Sequence, residues 1–226
     1  MYRFIELKDM RFKAFEKAIS EINKHRLPGL EAQLKMAPSF RKQLMEQYKE
    51  DRKTAKLAAV LALFYPSNEG DTLLVLIMRK SYKGVHSAQI GFPGGKPEPE
   101  DANFKETALR ETSEEVGVPS DKITVLRDLS SIYIPPSNFQ VHPFIGLSHE
   151  TLSFTLQASE VEAVLEIPLT DFMNDHSEVL SNVLSEDGVS YEVPAFNLNN
   201  HIVWGATAMM LMEIKTMLNK IFKKIT

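Results

Sequence analysis

Cysteine is absent from this chain of 226 residues, and tryptophan occurs only once. Without thiols, the protein has no cysteine nucleophile, no cysteine metal site and no disulfide framework. Its length and its hydrophobic content of 43% are sufficient to bury a core without covalent cross-links. The composition therefore favours a protein of a reducing compartment.

Long apolar runs and a strong excess of one charge are also missing. No stretch approaches the roughly 20 apolar residues that span a bilayer, and the first residues lack the apolar core of a signal peptide. The 26 basic and 30 acidic residues give a net charge of −4, which does not predict a surface that binds nucleic acid. The final residues do not form a peroxisomal Ser-Lys-Leu address. We expect a cytoplasmic protein that binds neither membranes nor nucleic acids.

The hydrophobic pattern changes near residue 52. Residues 1–52 are charged and poor in strand-like runs, with breaks at Pro28-Gly29 and Pro38, so we predict two or three short helices there. Residues 53–226 combine apolar runs of strand length with two helical patterns, at 103–116 and 202–223, the second of which includes Trp204 as a packing residue. The predicted strands are 57–64, 73–78, 123–126, 132–134, 141–146, 161–167 and 191–196. Mixed strands with a few helices predict an α/β fold.

The first helical pattern carries three glutamates on one face. Glu111, Glu114 and Glu115 are related as i, i+3 and i+4, so their side chains project in the same direction and repel one another. Such a pattern on its own is more often a solvated acidic face. A hard cation such as Mg²⁺ would instead use these carboxylates as oxygen ligands.

The residues before this helix favour the metal site over the solvated face. An apolar run that ends at Arg79 is followed by the turn Pro93-Gly94-Gly95-Lys96, whose adjacent glycines let backbone amides approach a ligand closely. A strand, a glycine turn and a carboxylate helix in series can hold a diphosphate and a metal. A P-loop is excluded, because three residues rather than four separate Gly91 from Gly95 and a proline follows the lysine.

With these features the chain resembles the Nudix hydrolases, whose signature is G-x5-E-x7-R-E-U-x-E-E-x-G-U, where U is apolar. Residues 110–118 match its second half, with Thr112 in place of an apolar residue. In the first half, Asp101 replaces the early glutamate, and eight residues rather than seven separate it from Arg110. The resemblance implies an α/β/α sandwich around a mixed sheet in residues 53–226, preceded by a helical extension.

The longer spacing is similar to that of the coenzyme A pyrophosphatase branch of this family. Other segments resemble the extended signature of the branch; they are 76–79, His86, Gln89-Ile90, 92–96, 107–111, 158–169 and 203–208. The resemblance implies metal-dependent cleavage of coenzyme A or its thioesters into adenosine 3′,5′-bisphosphate and a 4′-phosphopantetheine product.

The resemblance also implies roles for individual residues. Glu111 and Glu115 are the first-choice ligands of Mg²⁺ or Mn²⁺, and Glu114 completes or shares the site. Arg110 and Glu160 join them in the catalytic set, with Glu160 as base or additional ligand. Glu162 competes with Glu160 for this role. The expected substrate contacts are Arg79, Gly94, Gly95 and Lys96.

Several alternatives stay open at the level of sequence. Surface salt bridges explain Lys96 nearly as well as substrate binding does. The same chemistry would also suit ADP-ribose, a dinucleotide or a nucleoside triphosphate. A Nudix-like binding module without catalysis is a third reading, although such modules are expected to have lost the carboxylates. The form of coenzyme A, the number of metal ions and the oligomeric state are undetermined, with a homodimer as one expectation.

Overall fold

The computed structural model describes residues 10–80, 90–184 and 188–225. His86 and Gln89, which contribute to the resemblance described above, lie outside the described residues. The elements below are numbered along the described part of the chain.

Between residues 10 and 55, three short α-helices precede the first strand, in agreement with the predicted number. They are α1 (Phe12–Ile19), α2 (Leu30–Gln33) and α3 (Arg41–Gln47). In α1, Phe12, Phe15 and Ile19 recur at helical spacing and are all buried. They belong to the same hydrophobic cluster as the main domain, so the N-terminal helices pack on the core. The division of the chain at residue 52 stays a prediction.

An eight-stranded mixed sheet follows. Its central strands run in the order β3-β2-β1-β7-β5, while β4, β6 and β8 pair with β1, β7 and β2. The pairing of β1 with β7 is parallel and the others are antiparallel. The strands are β1 (Lys56–Pro66), β2 (Thr72–Arg79), β3 (Ile90–Gly91), β4 (Gly94–Gly95), β5 (Thr124–Asp128), β6 (Ile132–Ile134), β7 (Phe139–Leu147) and β8 (Val161–Pro168).

The two faces of the sheet are covered by different helices. Along β1, side chains alternate between the faces, as the pleat requires. Leu61 and Leu63 belong to the cluster under helix α4 (Phe104–Val116), whereas Ala62 and Phe64 belong to the cluster under α1 and helix α6 (Gly205–Ile225). The predicted α/β/α sandwich is therefore confirmed.

A second, three-stranded antiparallel sheet was only partly predicted. It consists of β9 (Glu178–Leu184), β10 (Ser190–Leu198) and β11 (His201–Trp204), with a short helix α5 (Leu169–Met173) before it. The helix predicted to begin at residue 202 begins instead at Gly205, whose φ of +64° marks the change from strand to helix. Trp204 is consequently a strand residue, opposite Ala195. Among the described helices, none has the length and hydropathy needed to cross a bilayer.

Candidate active site

Helix α4 is fixed at both ends by local interactions. At its start, the Asn103 side chain accepts a hydrogen bond from the Glu106 backbone (3.1 Å), and the Glu106 carboxylate accepts one from the Ala102 backbone (3.1 Å). This reciprocal cap satisfies amides that the helix leaves unpaired. At its end, Gly117 adopts a left-handed conformation (φ +75°), as expected for a helix stop. The caps fix where the glutamates lie along the helix.

The glycine turn lies between strand β1 and helix α4. Gly94 and Gly95 pair with Val60 and Ala59 of β1. A β-carbon on Gly95 would lie 2.5 Å from the carboxylate of Glu111. A side chain at position 95 would therefore collide with the Glu111 carboxylate of α4, and glycine leaves that space free.

Glu115 is the most enclosed of the three glutamates, with none of its surface exposed. One carboxylate oxygen accepts a hydrogen bond from the Gly94 amide (2.7 Å), and the other accepts one from Arg79 Nη2 (2.8 Å). Burial raises the pKa of Glu115, while Arg79 and the Gly94 amide oppose that rise. Glu115 thus links helix α4 to the glycine turn and, through Arg79, to strand β2.

Arg79 reaches this position from an irregular end of strand β2. The pairing register of β2 with β8 shifts between Met78 and Arg79, and such bulges redirect side chains. Its Nη2 donates to the Gly94 carbonyl (3.1 Å) as well as to Glu115. The other guanidinium nitrogens have no hydrogen-bond acceptor among the described residues, and 46% of the side chain stays exposed, so they can contact a substrate. The predicted substrate contact of Arg79 is compatible with this geometry and stays a prediction.

Arg110 holds the irregular half of the signature together. Its guanidinium binds both carboxylate oxygens of Asp101, with the shortest N···O distances at 3.1 Å, and donates to the Lys96 carbonyl (2.9 Å). It also contacts Glu111 and Glu114, each at 3.1 Å. Arg110 therefore has the contacts of a positioning residue, and its direct role in catalysis stays a prediction.

Asp101 is the residue whose importance the sequence did not reveal. The departure from the signature left its role in doubt, but its side chain is only 6% exposed and pairs with Arg110. That pairing lowers the pKa of Asp101 to about 2. The extra residue between Asp101 and Arg110 is thus accommodated without loss of an acidic partner for the arginine.

Replacing Asp101 by asparagine is expected to lower the free energy of unfolding by about 1–2 kcal/mol at pH 7, because a charge-assisted hydrogen bond is lost. The folded-state pKa lies below the ordinary value of 3.8, so this stabilisation is present above about pH 4 and is lost as the pH falls through about 2. Urea unfolding of both proteins at pH 7, 4 and 2.5 measures the difference. A difference that persists undiminished at pH 2.5 would contradict the assignment.

Glu111 and Glu114 flank Arg110 and complete the acidic face. Burial raises the pKa of Glu111; Arg110 opposes this, and the charges of Glu115 and Glu114 add to it. At Glu111 and at Glu114, one carboxylate oxygen accepts from Arg110, and the other has no hydrogen-bond donor among the described residues. These oxygens are available to a ligand.

The donor chemistry of this face fits a divalent cation. Carboxylate oxygens are the ligands that Mg²⁺ and Mn²⁺ prefer, and a cation would relieve the cost of burying Glu111 and Glu115 as anions. Within the part of the chain that the structure describes, however, no three acidic or histidine side chains already surround one point. Arg79 holds one oxygen of Glu115, and Arg110 holds one oxygen each of Glu111 and Glu114. Metal binding therefore requires these side chains to share or release oxygens, each of which has two lone pairs.

Glu160 lies on a loop that is tied to the end of α4. The Gln157 amide donates to the Glu115 carbonyl (3.0 Å), and the Thr155 amide donates to that of Val116 (3.0 Å). The negative charge of Glu160 contributes to the raised pKa of Glu115, so the two carboxylates are near enough to interact. Glu160 itself is exposed, directly before β8. The structure thus brings it to the site, while its role as base or ligand stays a prediction.

The sequence comparisons agree on one family. The family model described as NUDIX domain matches residues 55–184. The chain is 33% identical over 146 residues to an uncharacterized Nudix hydrolase, NudL, of Yersinia enterocolitica, which covers 65% of this chain and 74% of that protein. It is 32% identical over 141 residues to the Yersinia pestis NudL protein, covering 62% and 70% of the two chains. The crystal structure of a MutT protein from Methanosarcina mazei Go1 superimposes with a TM-score of 0.47 at 14% identity, over 73% of this chain and 95% of that one.

Proposed function

The chain belongs to the Nudix family of hydrolases, enzymes that act on pyrophosphate bonds, and we propose that its substrate is coenzyme A or a derivative of coenzyme A. Hydrolysis of the diphosphate gives adenosine 3′,5′-bisphosphate and 4′-phosphopantetheine or its acylated form. The proposal includes Mg²⁺ or Mn²⁺ as the cofactor and the cytoplasm as the compartment. A homodimer stays a prediction.

The observation that best supports hydrolysis of a diphosphate at this site is the contact of Glu115 with the glycine turn. A buried carboxylate accepts a hydrogen bond from the Gly94 amide, and Glu111 lies directly against Gly95. The acidic face therefore lies directly against the glycine turn, of which Gly94 is buried and Gly95 is partly exposed. A diphosphate at the turn would therefore lie next to the groups that hold the metal.

Each residue then has a defined task. Glu111, Glu114 and Glu115 would hold the divalent cation, which when bound neutralises diphosphate charge and acidifies a water molecule. The outward donors of Arg79 would bind phosphate oxygens. Glu160, exposed beside Glu115, would accept the proton of the attacking water.

The choice of coenzyme A over other diphosphates rests on the sequence of the turn and helix. The segments at 76–79, 92–96 and 107–111 are similar to the extended signature of the coenzyme A branch, and the structure brings all three together around Glu115. ADP-ribose, a dinucleotide or a nucleoside triphosphate would use the same metal site.

A substrate panel tests the proposal. Purified protein with Mg²⁺ or Mn²⁺ is incubated with coenzyme A, acetyl-coenzyme A, ADP-ribose, a diadenosine polyphosphate and ATP, and products are identified by mass spectrometry. We expect adenosine 3′,5′-bisphosphate and the pantetheine product from coenzyme A, at the highest kcat/KM of the panel. A Glu115→Gln preparation purified in parallel controls for contaminating hydrolases.

Cleavage of another diphosphate with coenzyme A left intact would overturn the substrate while keeping the hydrolase. Failure on every diphosphate, with both metals, would favour the binding module instead.

A further inference from the structure

Two lysines share one aromatic ring beside the glycine turn. The ammonium groups of Lys56 and Lys96 each lie 5.8 Å from the ring centroid of Phe139. Lys56 and Phe139 are opposite each other at the start of the parallel strands β1 and β7. Lys96 directly follows Gly95, and its carbonyl is held by Arg110. Three separate segments therefore converge on this cluster, which we call the lysine–phenylalanine cluster.

Neither cation of this cluster has an acidic partner within the described ranges, but each has an aromatic one. Neither Lys56 nor Lys96 forms a salt bridge within the described ranges, whereas other lysines of the protein do, among them Lys24, Lys49, Lys53, Lys122 and Lys215. Their contact with the ring is a weak cation–π attraction that holds each ammonium near Phe139 and can be exchanged for a stronger anionic ligand. Two cations that converge on one ring beside the glycine turn, with no carboxylate paired to either in the described residues, can bind an anion.

The cluster lies at a distance from the acidic face that suits a second anionic group of the same substrate. Lys56 is three residues before Ala59, the partner of Gly95, which corresponds to about 10 Å along the strand. A diphosphate bound beside Gly95, with its nucleoside end directed towards the start of β1, would have that end near Lys56 and Phe139.

We propose that Lys56 and Lys96, held by Phe139, bind a phosphomonoester on the nucleoside part of the substrate. This rests on the proposed function, in which that group is the 3′-phosphate of coenzyme A. Lysine ammonium groups bind a compact dianion as point charges. The ring itself is engaged by the ammonium groups, so its task is to position them rather than to stack on the adenine base.

Coenzyme A and dephospho-coenzyme A differ only in the 3′-phosphate, so the ratio of their kcat/KM values measures the contribution of this subsite. We expect the wild-type protein to prefer coenzyme A. In Lys56→Gln, kcat/KM for coenzyme A is expected to fall about tenfold, mainly through KM, and that for dephospho-coenzyme A to stay within about twofold. In Lys96→Gln, the ratio of the two kcat/KM values is expected to fall by a similar factor, although activity on both substrates can decrease because Lys96 is also an expected contact at the turn. Phe139→Leu, which keeps apolar volume but removes the ring face, should reduce the preference in the same direction by a smaller factor. Lys24→Gln is the matched control, since it removes an exposed lysine charge from the N-terminal region and should leave the preference unchanged.

Direct binding separates this inference from the choice of substrate. Calorimetry with adenosine 3′,5′-bisphosphate and with AMP requires no turnover, and we expect only the bisphosphate to lose affinity, about tenfold, in Lys56→Gln. Equal binding of the two nucleotides by the wild type, or equal losses for both in that variant, would overturn the subsite even if coenzyme A is hydrolysed. Conversely, selective binding of the bisphosphate without hydrolysis of coenzyme A would support the subsite and reject the proposed reaction.

Discussion

Replacement of Glu115 by glutamine is expected to lower kcat for diphosphate hydrolysis at least about a thousandfold, which corresponds to about 4 kcal/mol of transition-state stabilisation. The substitution removes the negative charge that faces both Arg79 and the predicted metal. The glutamine carbonyl can still accept from the Gly94 amide, and Arg79, whose side chain is 46% exposed, can be solvated where it loses the carboxylate, so the fold should persist. Steady-state kinetics with saturating metal measures the effect.

Glu106→Gln provides a matched control on the same helix. Glu106 is exposed, and its task is to cap the helix, which glutamine can also perform. Activity of this variant should stay within about twofold of the wild type. Thermal unfolding with and without Mn²⁺ gives a second readout: the metal should raise the Tm of the wild type and of Glu106→Gln, but not of Glu115→Gln. Wild-type turnover by Glu115→Gln would exclude the residue from the metal site.

The position of the acidic face was predictable because it depends on short-range rules. The i, i+3 and i+4 spacing determines which side chains share a face, and the turn before Asn103 and the glycine at 117 determine where the helix begins and ends. Strands β1 and β2 were predictable because they are nearly continuous apolar runs, and β8 because apolar residues predominate between its two exposed glutamates. Each of these features is visible in a window of a few residues.

Features that depend on contacts between distant segments were not predictable. The pairing of Asp101 with Arg110 crosses a loop of altered length, and Arg79 meets Glu115 at the point where the pairing register of β2 with β8 shifts. Strand β9 was missed because its sequence contains serine and asparagine and buries little. The helix boundary at Gly205 was missed because residues 202–204 are apolar and fit either a strand or a helix.

The paired glycines show how differently two adjacent residues can constrain a site. A β-carbon on Gly94 would lie 2.6 Å from Val60 Cα and closer still to the Ala59 carbonyl oxygen, and its φ is +149°. Both neighbours are backbone of the central strand, which cannot move aside. At Gly95 the close neighbours are instead the end atoms of the Glu111 side chain, which can rotate. The absence of a side chain at Gly94 is therefore needed for the fold, whereas its absence at Gly95 is needed for the position of the Glu111 carboxylate.

Gly95→Ala is accordingly expected to fold but to lose about a hundredfold in kcat/KM, because the added methyl group displaces the Glu111 carboxylate from the acidic face. The Tm of Gly95→Ala should remain within a few degrees of the wild type.

Gly94→Ala is expected to lower the free energy of unfolding by about 3 kcal/mol or more, since strained backbone and a backbone clash combine. Thermal unfolding and kinetics on both variants separate the two effects. If Gly95→Ala retained full activity, Glu111 would not need its present position against the turn, and the metal would have to be held by Glu114 and Glu115 instead.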